Sequence, residues 1–205
     1  MVKVKTIVVG ELQTNSYLVF NDTEAILIDP GAEAGKILSC LEKYDLNLKF
    51  IVNTHGHIDH ISGNDELAEK TGAKVLIHSE DALMLSCPKL NLSCSCEKGI
   101  IIKKPDRILI DNDIIETGNI KMKVISTPGH TPGSISLLFE DKIFCGDTIF
   151  AEGVGRTDFP GGDSKMLMQS IKKLLQFPSK TRLYPGHGPE TTIKKVIGEV
   201  KWFLN

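Results

Sequence analysis

The sequence predicts an α/β protein made of two sheets covered by helices, and three observations carry that reading. Extended runs of alternating or uniformly apolar residues fall into two groups along the chain. Segments of helical pattern lie between and after those groups. No repeat, low-complexity tract or linker-like stretch divides the 205 residues, so 1–205 reads as one domain long enough for a substantial core.

Taken in order, β-type runs occupy 2–9, 15–20 and 25–28. The Asp29-Pro30-Gly31 turn leads into a helix-like segment over 32–44. Residues 48–54 form a buried strand that feeds directly into His55. Residues 60–71 read as helix, 74–77 as strand, and 79–85 as a short helix with Ser79 as N-cap. An irregular connector rich in Cys, Ser and Lys fills 86–105, and a loop of that length in a compact domain is more often functional or mobile than filler. Strands resume at 107–110, 120–126, 134–139 and 142–145. Four glycines mark 151–163 as a loop. A helix over 164–176, a strand over 181–184 and a helix near 190–203 complete the pattern.

Composition narrows the function classes. Hydrophobic residues make up 41% and charged residues 24%, an ordinary globular mixture. A formal charge of −2 and a pI near 6.3 provide no broad positive field for a nucleic-acid partner. No stretch approaches the ~20 apolar residues that span a bilayer. The first twenty residues lack a signal-peptide pattern, because charges alternate with valines and Glu11 and Gln13 interrupt the apolar run. Five cysteines, an odd number without an export signal, point to reduced thiols and a cytoplasmic location. Cys94 and Cys96 form C-x-C, neither a redox pair nor a good half zinc knuckle, and read as structural or incidental. Cys145 reads as a small buried hydrophobe. The oligomeric state is not legible.

The histidines carry the chemistry. Three of the six fall within His55-Gly56-His57-Ile58-Asp59-His60, just after the buried strand. Partly buried imidazoles repel one another when protonated and leave ring nitrogens unpaired when neutral. A divalent metal removes both costs, since neutral imidazole is a good ligand for zinc or iron. Gly56 is read as letting the backbone turn so that His55 and His57 converge. An isolated H-x-H is more often a surface loop or adventitious clasp; H-x-H-x-D-H is not. His130 in Thr127-Pro128-Gly129-His130-Thr131-Pro132-Gly133, Asp147 in Cys145-Gly146-Asp147-Thr148 and His187 in Tyr184-Pro185-Gly186-His187-Gly188-Pro189 repeat one design. Each follows a predicted strand and sits in a stiff, glycine-relieved loop, a common platform for ligands. His78 lacks that setting and reads as a structural strand-end residue, with Glu80 and Asp81 assigned to a helix start.

These residues resemble the metallo-β-lactamase superfamily. The run from Thr54 to His60 matches its T-H-x-H-x-D-H signature without a gap. His130, Asp147 and His187 follow in its order, and Asp29-Pro30-Gly31 matches its early Asp-x-Gly motif. The resemblance implies a four-layer αβ/βα sandwich of two mixed sheets flanked by helices. It further implies one metal at His55, His57 and His130, and a second at Asp59, His60 and His187. Asp147 would bridge them, with Asp29 behind the ligands as an orienting group. The expected cofactors are two divalent ions, zinc first, with iron or manganese as alternatives. The commonest class of true β-lactamases places cysteine where Asp147 stands, which argues against antibiotic hydrolysis.

Within the superfamily, Gly146-Asp147-Thr148-Ile149-Phe150 and Gly155-Arg156-Thr157-Asp158-Phe159-Pro160 are similar to segments of glyoxalase II-type thioesterases. The chain ends at Asn205, so the C-terminal helical domain that supplies much of the glutathione site is expected to be absent. The resemblance implies a small-molecule thioester substrate and attack by a metal-bridging hydroxide, with Asp59 holding the nucleophile in line. A thiolate leaves with a pKa near ~8.5 and needs little acid assistance. Arg156, the one arginine of the glycine-rich loop, is either an anion contact for substrate or a partner of Asp158. The rival readings are a persulfide dioxygenase with one iron on His55, His130 and Asp147, a lactonase, and a metal-binding protein without catalysis.

Overall fold

In the computed structural model, which describes residues 1–95 and 99–204, two six-stranded sheets and a small hairpin form the β-structure. The first sheet runs in sequence order: β1 (Lys3–Val9), β2 (Thr14–Phe20), β3 (Glu24–Ile28), β4 (Asn47–Val52), β5 (Lys74–His78) and β6 (Arg107–Leu109). Its first three strands are antiparallel and β3 to β6 are parallel. The second sheet uses β7 (Ile114–Thr117), β8 (Ile120–Ser126), β9 (Ile135–Phe139), β10 (Lys142–Gly146), β13 (Arg182–Pro185) and β14 (Thr191–Thr192). Its order is β14-β13-β10-β9-β8-β7, with β10 and β13 parallel. The hairpin pairs β11 (Ile149–Phe150) with β12 (Gly153–Val154).

Strand alternation sets the layers. In β2 and β3, Tyr17, Val19, Ile26 and Ile28 point into a core shared with Met122, Val124, Leu137 and Phe144 of the second sheet. The alternate residues Leu18, Phe20, Ala25 and Leu27 point outward, where Ile37 and Leu41 of α1 (Ala34–Lys43) and Leu67 of α3 (Asn64–Thr71) cover them. On the far side, Ile143, Cys145 and Leu183 meet Leu167, Ile171 and Leu174 of α4 (Ser164–Leu174) and Ile193 and Val196 of α5 (Ile193–Glu199). The result is the expected helix–sheet–sheet–helix order. Because both of their faces are covered, β2, β3, β9 and β10 are buried along nearly their whole length.

Several elements differ from the sequence reading. The helix expected over 60–71 is two, α2 (Ile58–Ile61) and α3, broken where the Gly63 amide donates to the Pro30 carbonyl at 2.8 Å. A Cβ at Gly63 would meet that carbonyl oxygen at 2.7 Å, so the bend needs glycine. The short helix after β5 is a 3₁₀ segment, Ser79–Ser86, capped by His78 and not Ser79: the His78 ring nitrogen accepts from the Glu80 amide at 3.3 Å. Strand β7 escaped the sequence reading because only two of its four side chains are buried. Residues near 190–203 hold β14, α5 and a last turn, α6 (Lys201–Leu204).

The connector over 86–105 is anchored where it is described. The Asn91 side chain is buried and donates to the carbonyls of Met84 and Ile100, both at 3.0 Å, while the Asn91 backbone carbonyl accepts from the Ile58 amide at 2.9 Å. The connector thus packs directly on the histidine-rich turn. Cys96 lies outside the described residues. Cys40, Cys87, Cys94 and Cys145 are free thiols, and burial pushes the Cys145 thiol up to about 12, as suits a small hydrophobe. No helix among the described residues is long and apolar enough to cross a membrane.

Candidate active site

Five loops that follow strand ends meet at one edge of the sandwich. Asp29 follows β3, His55 to His60 follow β4, His130 follows β8, Asp147 follows β10 and His187 follows β13. Strands β3 and β4 run parallel, and β8, β10 and β13 share one direction, so each delivers its carboxyl end to this edge. All seven residues expected to ligate metal come together here.

The ring orientations are set from behind. The His60 Nδ1 lies 3.0 Å from Asp29 Oδ2, that of His130 lies 2.7 Å from the Arg156 carbonyl, and that of His187 lies 2.9 Å from the Leu12 carbonyl. Each of these partners accepts, so each Nδ1 carries a proton and each Nε2 is the nitrogen turned to the centre. His55 follows the same rule through Thr54: the hydroxyl donates to Asp29 Oδ2 at 2.6 Å and faces the His55 Nδ1 at 3.1 Å. His57 is reversed, with its Nδ1 2.9 Å from the His130 Nε2.

Three overlapping sets each gather three donor atoms within 4.8 Å: His55, His57 and His130; Asp59, His60 and His187; and Asp29, His55 and His60. In the third, Asp29 is already engaged, accepting from the Thr54 amide at 2.7 Å and facing His60 Nδ1, which makes it a support. Asp147 stands between the first two sets. One oxygen lies 3.5 Å from His60 Nε2, the other 3.7 Å from His130 Nε2 and 3.6 Å from His187 Nε2.

The residues fit a pair of cations. The His55 Nε2 and Asp147 Oδ1 are buried at the centre without a hydrogen-bond partner, and the His57 Nε2, on the side of its ring away from His130, is buried and unpartnered as well. Such atoms each cost about 1–3 kcal/mol unless something binds them. The electrostatics divide the centre. Burial, reinforced by neighbouring histidines, lowers His57 to about 3 and holds His55 well below the ordinary histidine value. Burial acts the same way on His60, but Asp147, Asp59 and Asp29 outweigh it and hold that imidazolium well above the ordinary value. His187 is raised too, as its contacts with Asp59 and Asp147 overcome burial. Asp59 is held far below the carboxylate range, because His60 and His187 outweigh its burial.

Gly56 serves a different purpose from the one expected. It needs no left-handed backbone; a Cβ there would press on the Met84 side chain, so glycine permits close packing beneath the turn. Gly186 is more constrained, since a Cβ would run into Asp147 Oδ1 and the His60 ring. Arg156 gives its guanidinium to Asp158, through bonds of 2.9 and 2.6 Å, and stacks over Phe159 at 4.3 Å. What it offers the centre is its backbone carbonyl.

Two supports escaped the sequence reading. Asp81 lies in the first turn of the 3₁₀ segment, as expected, but is fully buried. Its carboxylate accepts from the Gly56 amide at 3.0 Å, the Thr131 hydroxyl at 2.6 Å and the Gly133 amide at 2.6 Å, tying the His55–His57 turn to the His130 loop. Asn15 does likewise for the His187 loop, donating to the carbonyls of Pro185 at 3.0 Å and Gly188 at 2.8 Å. Asn15 offered no clear signal, since it stands between Thr14 and Ser16 at the polar start of β2. Asp81 had none, because its partners lie 25 to 52 residues away.

Comparison with known proteins agrees with this architecture. The family model for the metallo-β-lactamase superfamily matches residues 9–187. A probable metallo-hydrolase of Bacillus subtilis, YqgX, is 36% identical over 189 residues, 90% of each chain. The hydroxyacylglutathione hydrolase GloC of Haemophilus influenzae is 35% identical over 197 residues, 93% of this chain and 92% of that one. Among solved structures, the BLEG-1 B3 metallo-β-lactamase superposes with a TM-score of 0.93 at 34% identity, covering 99% of this chain and 100% of that one. TTHA1623 in a di-iron-bound form gives 0.83 at 33% identity, covering 97% and 99%. The chain belongs to the metallo-β-lactamase superfamily, whose members are metal-binding hydrolases.

Proposed function

We propose that the protein is a binuclear metal-dependent thioesterase of glyoxalase II type. The observation that carries this is the convergence of two three-donor sets around Asp147, with the His55 Nε2 and Asp147 Oδ1 left open toward the centre. On this reading His55, His57 and His130 hold one ion, Asp59, His60 and His187 the other, and Asp147 contacts both. Zinc is the expected ion, while the di-iron form of TTHA1623 supports iron and leaves manganese as a further candidate. When bound, the pair lowers the pKa of water toward ~7 and supplies a hydroxide for attack on a carbonyl carbon.

The chain's residues do the rest. Asp59, which accepts from the Thr14 hydroxyl at 3.2 Å, keeps the nucleophile aligned with the substrate carbonyl. Asp29 and the Leu12 and Arg156 carbonyls keep three imidazoles from rotating. Net addition of water to the carbonyl carbon breaks the carbon–sulfur bond, the thiolate leaves with the bonding electron pair and needs no dedicated acid, and the water's remaining protons pass to solvent as the product becomes a carboxylate. The GloC relative is a hydroxyacylglutathione hydrolase, and that name favours a thioester over other acyl compounds.

The test is metal analysis of protein purified without added metal, followed by a substrate panel. A thioester, a lactone, a β-lactam and glutathione persulfide with oxygen uptake separate the four chemistries. Chelator-sensitive turnover confined to the thioester is expected. Oxygen uptake on the persulfide with one iron per chain would replace this reading with the dioxygenase. Turnover of the β-lactam alone would move the chain to the chemistry of BLEG-1, and of the lactone alone to lactonases.

A further inference from the structure

Two phenylalanines flank the centre, and the chemistry so far gives neither a task. Phe159 stands 5.6 Å from His57, and Phe150 stands 6.3 Å from His187. On the Phe150 side a cleft of about 300 Å³ opens beside His187, lined by Phe150, Ala151, Glu152, Gly188 and Pro189. That volume is at the small end of ligand sites and suits one substituent of a substrate rather than a whole cofactor. The walls are apolar, and Glu152 is the one carboxylate of the lining.

No lysine or arginine lines the cleft, and the remaining lining residue, His187, is turned to the carboxylates of the centre. Arg156, the cation of the adjoining loop, is committed to Asp158 and Phe159. Farther out the cleft continues past Glu190, Lys195 and Glu199. There Arg182 neutralises Glu190 through bonds of 2.8 and 2.7 Å, which leaves two carboxylates, Glu152 and Glu199, facing one ammonium. The mouth on the His187 side therefore has an apolar floor and a negative rim.

We propose that this cleft receives one arm of the thioester and selects an apolar arm ending in a neutral or cationic group over one ending in a carboxylate. The inference rests on the thioesterase reading and names the substrate class within it. Glu152 is exposed and acts through a partly screened field, so its selection is several-fold and weakens with salt.

The test uses the metal-loaded enzyme and two matched thioester series. In one the thiol arm ends in trimethylammonium, hydroxyl or carboxylate; in the other the acyl arm carries the same three ends. The arm that lies in the cleft is expected to show kcat/KM falling about 3–10-fold from cation to carboxylate at low salt. Glu152→Gln should compress that ratio and Glu152→Lys should reverse it. Preference for the carboxylate on both arms, or an order unchanged by Glu152→Lys, would overturn the assignment. Thioether counterparts, which cannot be hydrolysed, report the same ranking by calorimetry. If they rank as expected while no thioester turns over, the thioesterase reading fails and the cleft stands. If thioesters turn over without any charge ranking, the cleft assignment alone fails.

Discussion

His55, His57 and His130 sit at 3% exposure or less, and burial together with mutual repulsion holds His55 and His57 as neutral imidazoles. The opposite half of the same centre, Asp59, His60 and His187, opens to solvent at Asp59 and His187 and is laced with carboxylates that raise the pKa of both its imidazoles. Imidazoles a few ångströms apart are thus biased in opposite directions. His55 and His57 can accept a cation without losing a proton. The opposite half must release protons as it binds. The supports are shared unequally: Asp81 lies beneath the His57 and His130 turns, whereas Asp29 backs His60 directly and His55 through Thr54.

The largest effects should come from removing ligands. His57→Ala empties the neutral half and Asp59→Ala removes the aligning carboxylate; each is expected to lower kcat/KM by roughly 10²–10⁴-fold. Near-normal thioester turnover with both ions retained in either variant would break the division described here. Gly186→Ala forces a methyl group between Asp147 and His60 and should cost activity on a similar scale, measured as kcat with the metal content alongside.

The two supporting carboxylates sharpen the comparison. Asp81→Asn and Asp29→Asn should each weaken metal affinity by about 10–100-fold, as for other groups that orient ligands. Asp81→Asn should act first on the His55–His57–His130 half, whereas Asp29→Asn, which supports both His60 and Thr54 beside His55, should weaken both, read by competition with a graded chelator. Equal loss at both halves from Asp81→Asn would remove the distinction. Asp81→Ala should also lower the thermal midpoint of the metal-free protein, since it strands three buried donors.

The pH dependence follows from the direction of the shifts. A histidine whose pKa is raised keeps its proton to higher pH, so cations must displace that proton. Occupancy of the Asp59–His60–His187 half should therefore rise with pH and be lost first as pH falls. The His57 ring, lowered to about 3, releases its cation only at more acidic pH. Simultaneous release of both ions would contradict this order. The smallest effect belongs to Arg156→Ala: its fully exposed guanidinium is satisfied by Asp158, and kcat/KM should change by no more than about fivefold.

The convergence of the seven side chains was legible because each is a local event, an imidazole or carboxylate placed where an apolar strand stops and glycine or proline follows. The two-sheet order was legible for a related reason, as apolar runs and helical patterns alternate without a long break. Asp81 and Asn15 were not, because their partners are distant in sequence and depend on how the sheets pack. The split of the helix at Gly63 depends on the Pro30 carbonyl more than thirty residues earlier. Arg156 illustrates the limit from the other side: composition drew notice to its charge, and the fold uses its carbonyl.

The most direct measurement is the number of metal ions per chain in protein purified near neutral pH without added metal, wild type beside His57→Ala. Two equivalents in the wild type, with at least one lost in the variant, is the predicted result. A wild type that holds no tightly bound metal, or a variant that keeps both ions, would contradict the assignment of these seven side chains.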